Sequence, residues 1–211
     1  MRRKLRRIYD RLYSRFGSQQ WWPGDTPFEI AVGAILTQNT NWGNVEKAIR
    51  NLKAAGKLNA RALHSLPADE LALLIKPAGY FNIKAKRLKN FAELLAREYR
   101  GSMKQMKREP LAVMRDKLLS VNGIGPETAD SILLYALEKQ TFVIDAYTKR
   151  VLSRHNIIHD AGTYDVFQKL FHENLDEDVG LYNEYHALIV RLAKEHCRTR
   201  PLCAGCPLEG F

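Results

Sequence analysis

The chain has 211 residues, of which 45% are hydrophobic and 27% charged; this is ordinary for a soluble globular protein and enough to bury a core as one unit or two small lobes. No apolar run approaches ~20 residues, which excludes a transmembrane helix, and the basic stretch MRRKLRRIYDRLYSRF lacks the unbroken apolar segment and cleavage site of a secretory signal. A formal net charge of +10 and a pI of 9.6 favour a polyanionic partner.

Helical periods dominate and no convincing period-two alternation occurs, so the expected class is all-α with at least eight helices. Residues 3–16 place Leu5, Ile8, Leu12 and Phe16 on one stripe. Trp21-Trp22-Pro23-Gly24-Asp25 ends that helix. Thr26 then serves as an N-cap with Pro27 at the first helical position of the largely apolar PFEIAVGAILTQ. A helix through Val45, Ile49 and Leu52 follows, and another begins at Leu66-Pro67 and stops at Pro77-Ala78-Gly79. Residues 83–99 form a basic amphipathic helix with Ile83, Leu88, Phe91, Leu94 and Leu95 on its apolar side. Pro110 and Pro126 open the helices on either side of a glycine hairpin, and further helices are expected near 146–154, 163–173 and 179–196.

Charge is unevenly distributed. Residues 1–15 carry seven Lys/Arg against one acid, residues 82–117 eleven against four, and residues 160–184 one Lys against seven acids. A basic face opposite an acidic one suits an oriented polyanion. The three cysteines, Cys197, Cys203 and Cys206, lie in the last fifteen residues, an odd clustered set that makes a poor disulfide framework and suggests a reducing compartment.

Two stretches carry chemistry. In Val121-Asn122-Gly123-Ile124-Gly125, two glycines flanking an apolar residue permit torsions denied to other residues, so that backbone N–H groups can face a phosphate ahead of the Pro126 helix. Twenty residues past Gly125, Asp145 follows the apolar Phe142-Val143-Ile144, where it could equally cap the next helix. VNGIGPETADSILLYAL resembles the helix-hairpin-helix of the endonuclease III superfamily of DNA glycosylases, and VIDAYTKRV resembles its aspartate segment. AILTQNT, KPAGYFNIKA and the terminal cysteines match further family segments in the same order, so the resemblance covers nearly the whole chain.

The resemblance implies a two-lobed helix-hairpin-helix glycosylase fold: a lobe of residues 25–139, a second lobe of residues 1–24 and 140–211, and a cysteine loop at 197–206. It implies Asp145 as the catalytic carboxylate that stabilises the cationic sugar while the base leaves. It also implies DNA contacts from Gln38 as a wedge, from Tyr80 and Phe81 as a second inserted loop, from Lys84 toward phosphates, and from Gly123, Ile124 and Gly125. Family members that also cut the strand carry a lysine where this chain has Glu127, so a monofunctional glycosylase is expected. Trp21, Trp22, Pro23 and Trp42 resemble the base pocket of the 3-methyladenine branch, with Glu127 as an anionic wall. Cys197, Cys203 and Cys206 resemble three of the four ligands of a [4Fe–4S] loop, with zinc and a cluster-free loop left open. No organic cofactor is expected. The implied partner is double-stranded DNA with a damaged base, met by a monomer in a bacterial or archaeal cytoplasm at the nucleoid, with no membrane. The rivals are an endonuclease III-like glycosylase/lyase for oxidised pyrimidines and a non-catalytic helix-hairpin-helix DNA-binding module.

Overall fold

The computed structural model describes residues 1–21, 24–158 and 162–211. Among them the regular structure is entirely helical and falls into two compact units. One comprises Trp22–Lys139; the other combines Met1–Trp21 with Gln140–Phe211.

Both units draw on the helices α1 (Arg2–Phe16), α2 (Pro27–Leu36), α3 (Trp42–Ala54), α4 (Ala60–Ser65), α5 (Ala68–Leu74), α6 (Phe81–Tyr99), α7 (Met103–Met106), α8 (Leu111–Ser120), α9 (Pro126–Ser131), α10 (Ala146–Arg154), α11 (Tyr164–Asn174) and α12 (Val179–Glu195). The unit of α2–α9 is built around α2. Its start follows from the sequence: the Thr26 hydroxyl accepts the Glu29 N–H at 3.1 Å, and Pro27 occupies the first turn, where no N–H is needed. Beyond that cap α2 is apolar on every side, as a helix at the centre of a core must be, and Phe28, Ile30, Ala31, Val32, Ile35 and Leu36 are all buried. It packs on α3, α6, α9 and the π-helical continuation of α9 at Ile132–Ala136. The 19-residue α6 spans this unit with Leu88, Phe91 and Leu95 fully buried.

In the second unit α1 buries Leu5, Ile8 and Leu12, the stripe expected from its sequence, against α12. Phe142 stacks on Phe171 with ring centroids 3.6 Å apart, and Tyr182 and Tyr185 meet the Phe142 ring edge-on. The Tyr185 hydroxyl donates to the Leu5 carbonyl at 2.8 Å in a buried bond that ties residues 180 positions apart.

Three local features depart from the sequence reading. The short helices α4 and α7 were not expected, because six and four residues are too few to display a period. The basic helix starts at Phe81 instead of 83, after a 3-10 turn at Lys76–Ala78. Ile83, placed on its apolar stripe, is 51% exposed.

Replacing Tyr185 with Phe removes the second donor to the Leu5 carbonyl, which keeps its bond within α1. It should lower the unfolding free energy by roughly 0.5–1.5 kcal/mol, seen as a lower denaturant midpoint with an unchanged slope.

Candidate nucleic-acid interface and carboxylate site

The glycine hairpin follows α8. Val121 accepts the Ile124 N–H at 3.0 Å, and the Ile124 side chain is 4% exposed, so this residue anchors the hairpin. The Ile124 N–H therefore points inward, and the expected outward set of amides does not include it. The two glycines differ. Gly123 has φ +93, and a methyl group there would collide with the stem of Arg87. Gly125 has ordinary torsions, φ −93 and ψ 179, and nothing within 4 Å of where a Cβ would stand. The fold requires glycine at 123 and leaves 125 open.

Gln38, expected as a free wedge, is held to this hairpin. Its amide Nε2 donates to the Gly123 carbonyl at 3.0 Å and to the Thr128 hydroxyl at 2.8 Å, while Arg87 donates to its Oε1. Asn90 adds a bond to the Asn122 carbonyl at 3.0 Å. The exposed neighbour Asn39 sits in the left-handed region at φ 53. Tyr80 is 68% exposed, also left-handed at φ 45, and Phe81 follows it, half-buried, as the first residue of α6.

Lys84 departs most from expectation. It is 1% exposed, and its ammonium donates to the carbonyls of Leu36 and Ala78, each at 2.8 Å. It cannot reach a phosphate from there. Its position explains this: the turn that exposes Tyr80 rotates Lys84 onto the buried side of α6, where carbonyls at the ends of two helical segments need donors. Burial, helped by the like charge of Arg87, pulls the ammonium down to about 8. Lys89 likewise turns to carbonyls, those of Leu66 at 2.8 Å and of His64. Lys86 is exposed.

Trp42 lines a cavity of about 290 Å³ with Gly24, Glu29, Glu46, Ile49, Arg50 and Lys53. Lys53 is paired with Glu29 at 2.9 Å and Asp25 at 2.7 Å. Glu127 is exposed in the first turn of α9. Trp22 and Pro23, expected beside these residues, lie outside the described residues.

In the other unit, Asp145 caps α10. Its Oδ1 accepts the Thr148 N–H at 2.7 Å, and its Oδ2 lies 3.4 Å from Nε2 of His186 on α12. The carboxylate side chain is 14% exposed and His186 is buried. Burial pushes the Asp145 carboxyl up, but His186 and the Thr148 bonds outweigh it, and the group is held below the usual aspartate range. The result is a poorly solvated carboxylate that stays ionised at neutral pH. His186 escaped the sequence reading; its only signal is an isolated histidine in the otherwise apolar run Tyr185–Val190. Lys149, one turn beyond Asp145, lies over the Phe167 ring at 5.7 Å, and Lys194 lies over the Trp21 ring at 5.9 Å.

Cys197, Cys203 and Cys206 line a cavity of about 300 Å³ with Arg154, His196, Leu202 and Phe211. Cys197 is buried and its sulfur accepts from Arg154 at 3.4 Å, whereas Cys203 is exposed. A [4Fe–4S] cluster takes four thiolates at close range. Among the described residues no three His, Cys, Asp or Glu side chains are grouped so as to hold a metal, so the three cysteines as they stand do not fit such a cluster. Also among the described residues, no helix is long and apolar enough to cross a membrane.

A family profile described as HhH-GPD superfamily base excision DNA repair protein matches residues 32–177, and the chain belongs to this family. It is 47% identical over 207 residues to MJ1434 of Methanocaldococcus jannaschii, provisionally named a DNA repair glycosylase, covering 97% of this chain and 94% of that one. Endonuclease III of Bacillus subtilis is 26% identical over 184 residues, 86% of this chain and 78% of its own. Among solved structures, the H. pylori 3-methyladenine DNA glycosylase MagIII bound to 1,N6-ethenoadenine superposes with a TM-score of 0.75 at 30% identity, over 89% of this chain and 96% of that one. A trapped endonuclease III–DNA covalent intermediate shares the fold at a TM-score of 0.84 and 20% identity, over 99% and 93% of the respective chains. These comparisons bear out the family resemblance carried by the hairpin and aspartate motifs.

Two outcomes follow from the geometry. Gly123→Ala should destabilise by more than about 1 kcal/mol, through its positive φ and the clash with Arg87. Gly125→Ala should leave the melting temperature unchanged or slightly raised and weaken DNA binding alone. Separately, between about pH 8 and the ordinary lysine value of 10.5 the unfolded chain binds a proton at Lys84 that the folded chain has released. Stability from this group therefore rises with pH across that window. The difference between wild type and Lys84→Met in pH-dependent denaturation should show that rise.

Proposed function

We propose that the chain is a monofunctional DNA glycosylase that hydrolyses the N-glycosidic bond of alkylated purines such as 3-methyladenine. The observation that carries the reading is Asp145: an ionised, poorly solvated carboxylate held at a helix start by Thr148 and beside His186. Cleavage of a nucleoside bond builds positive charge on the sugar, and a fixed carboxylate in weakly screening surroundings stabilises that charge as it forms. The same carboxylate can orient the attacking water.

Glu127 supports base removal without strand cutting. A carboxylate cannot form the imine that a lysine nucleophile forms with the sugar, and Lys149 is occupied over the Phe167 ring. The alkylated-purine half draws on the 30% identity to MagIII, a 3-methyladenine DNA glycosylase, and on the indole of Trp42 in its cavity. A purine methylated at N3 carries positive charge, which indole faces attract and which makes the base a good leaving group. The resemblance of Trp21, Trp22 and Pro23 to the base-pocket segment of the 3-methyladenine branch adds to this reading.

Base release from a duplex with 3-methyladenine, set against one with an oxidised pyrimidine, tests the substrate. Release from the methylated duplex only is expected, and preference for the oxidised one would overturn the reading. Borohydride added with abasic DNA should trap no covalent complex; efficient capture would refute monofunctionality. Asp145→Asn should cut base release by about 10²–10³-fold while keeping stability, because asparagine also caps helices. Asp145→Ala should lose activity and in addition about 1 kcal/mol.

A further inference from the structure

We propose that Lys84 is a positioning residue whose single buried ammonium fixes the loop carrying Asn39 and the loop carrying Tyr80 in common register, so that both tips meet the DNA gap left by an extruded base. This rests on the base-flipping reading above and goes beyond it in naming what holds the inserted tips. The Leu36 carbonyl stands three residues before Asn39, and the Ala78 carbonyl two residues before Tyr80. One nitrogen, 2.8 Å from each, therefore joins the stems of both loops.

The tips need such a hold. Asn39 and Tyr80 are exposed, non-glycine and left-handed, at φ 53 and 45. For Tyr80 that conformation is unfavourable and persists only where the surroundings impose it, while an asparagine enters it more readily. The side chains it presents are those an opened duplex would accept: a tyrosine ring 68% exposed for stacking and an asparagine amide for hydrogen bonding. An apolar residue at 84 would leave two helix-end carbonyls without a donor. A cation there also complements the negative end of α2. Filling a gap of fixed size requires the two tips to keep their spacing, and a shared anchor fixes spacing as two separate anchors do not.

The test compares wild type with Lys84→Met in the full chain, using a duplex with one tetrahydrofuran abasic-site analogue and the same duplex intact. The variant should lose at least fivefold of its preference for the tetrahydrofuran duplex, with affinity for intact duplex changed less than twofold. Amide hydrogen exchange should accelerate together at residues 37–41 and 78–81 and stay unchanged in α8. Exchange altered in one loop only, in neither, or throughout the unit would overturn the proposal, as would equal loss on both duplexes. Should Lys84→Met not fold, Lys84→Gln, which keeps a polar group at the site but is one bond too short to hold both carbonyls, carries the same comparison. A wild type that does not prefer the tetrahydrofuran duplex would defeat the gap-filling reading, while the exchange result would still decide whether the anchor is shared.

Discussion

Every α-helix ends with carbonyl groups that its own backbone cannot satisfy, and a protein built from many short helices meets that requirement again and again. Here several of the donors are long cationic side chains. Lys84 serves Leu36 and Ala78, and Lys89 serves Leu66. Arg191 serves Phe16 at the end of α1, and Arg150 and Arg154 serve Cys197 and Thr199 in the turn that follows α12. Lys84 and Lys89 lie in a segment whose sequence reads as a basic face. The helix ends would fray or take up water without these bonds, and the loops beyond them would lose their positions.

Asp145 shows structural and chemical requirements met by one group. Capping α10 requires a short acceptor side chain, and the proposed chemistry requires a negative charge at a fixed place. One oxygen answers the first need through Thr148, and the other faces His186. The hairpin divides its work differently. Gly123 is dictated by its own backbone and the Arg87 stem, while Gly125 is dictated by nothing within the protein.

Much of this was legible in the sequence because the signals were local. Thr26-Pro27, the Leu5–Ile8–Leu12 stripe and the apolar approach to Asp145 each specify their structure within one or two turns. What escaped depended on distant partners. Lys84 reads as a phosphate contact until the ends of α2 and the 3-10 turn are placed around it. Gln38 reads as a free loop residue until Gly123 and Thr128, some 85 and 90 positions away, are brought to its amide. His186 pairs with Asp145 across 41 positions, a separation that no periodicity reports. The spacing of the cysteines resembles a ligand set, and among the described residues their side chains are not grouped as one.

The inward cations also change what the formal charge of +10 means for a polyelectrolyte. A protein releases condensed counterions from DNA only for the cations that reach phosphates. Lys84 and the inward-turned Lys89 add to the net charge without displacing a counterion from where they sit. The number of ions released on binding will therefore fall short of a count of basic residues along α6.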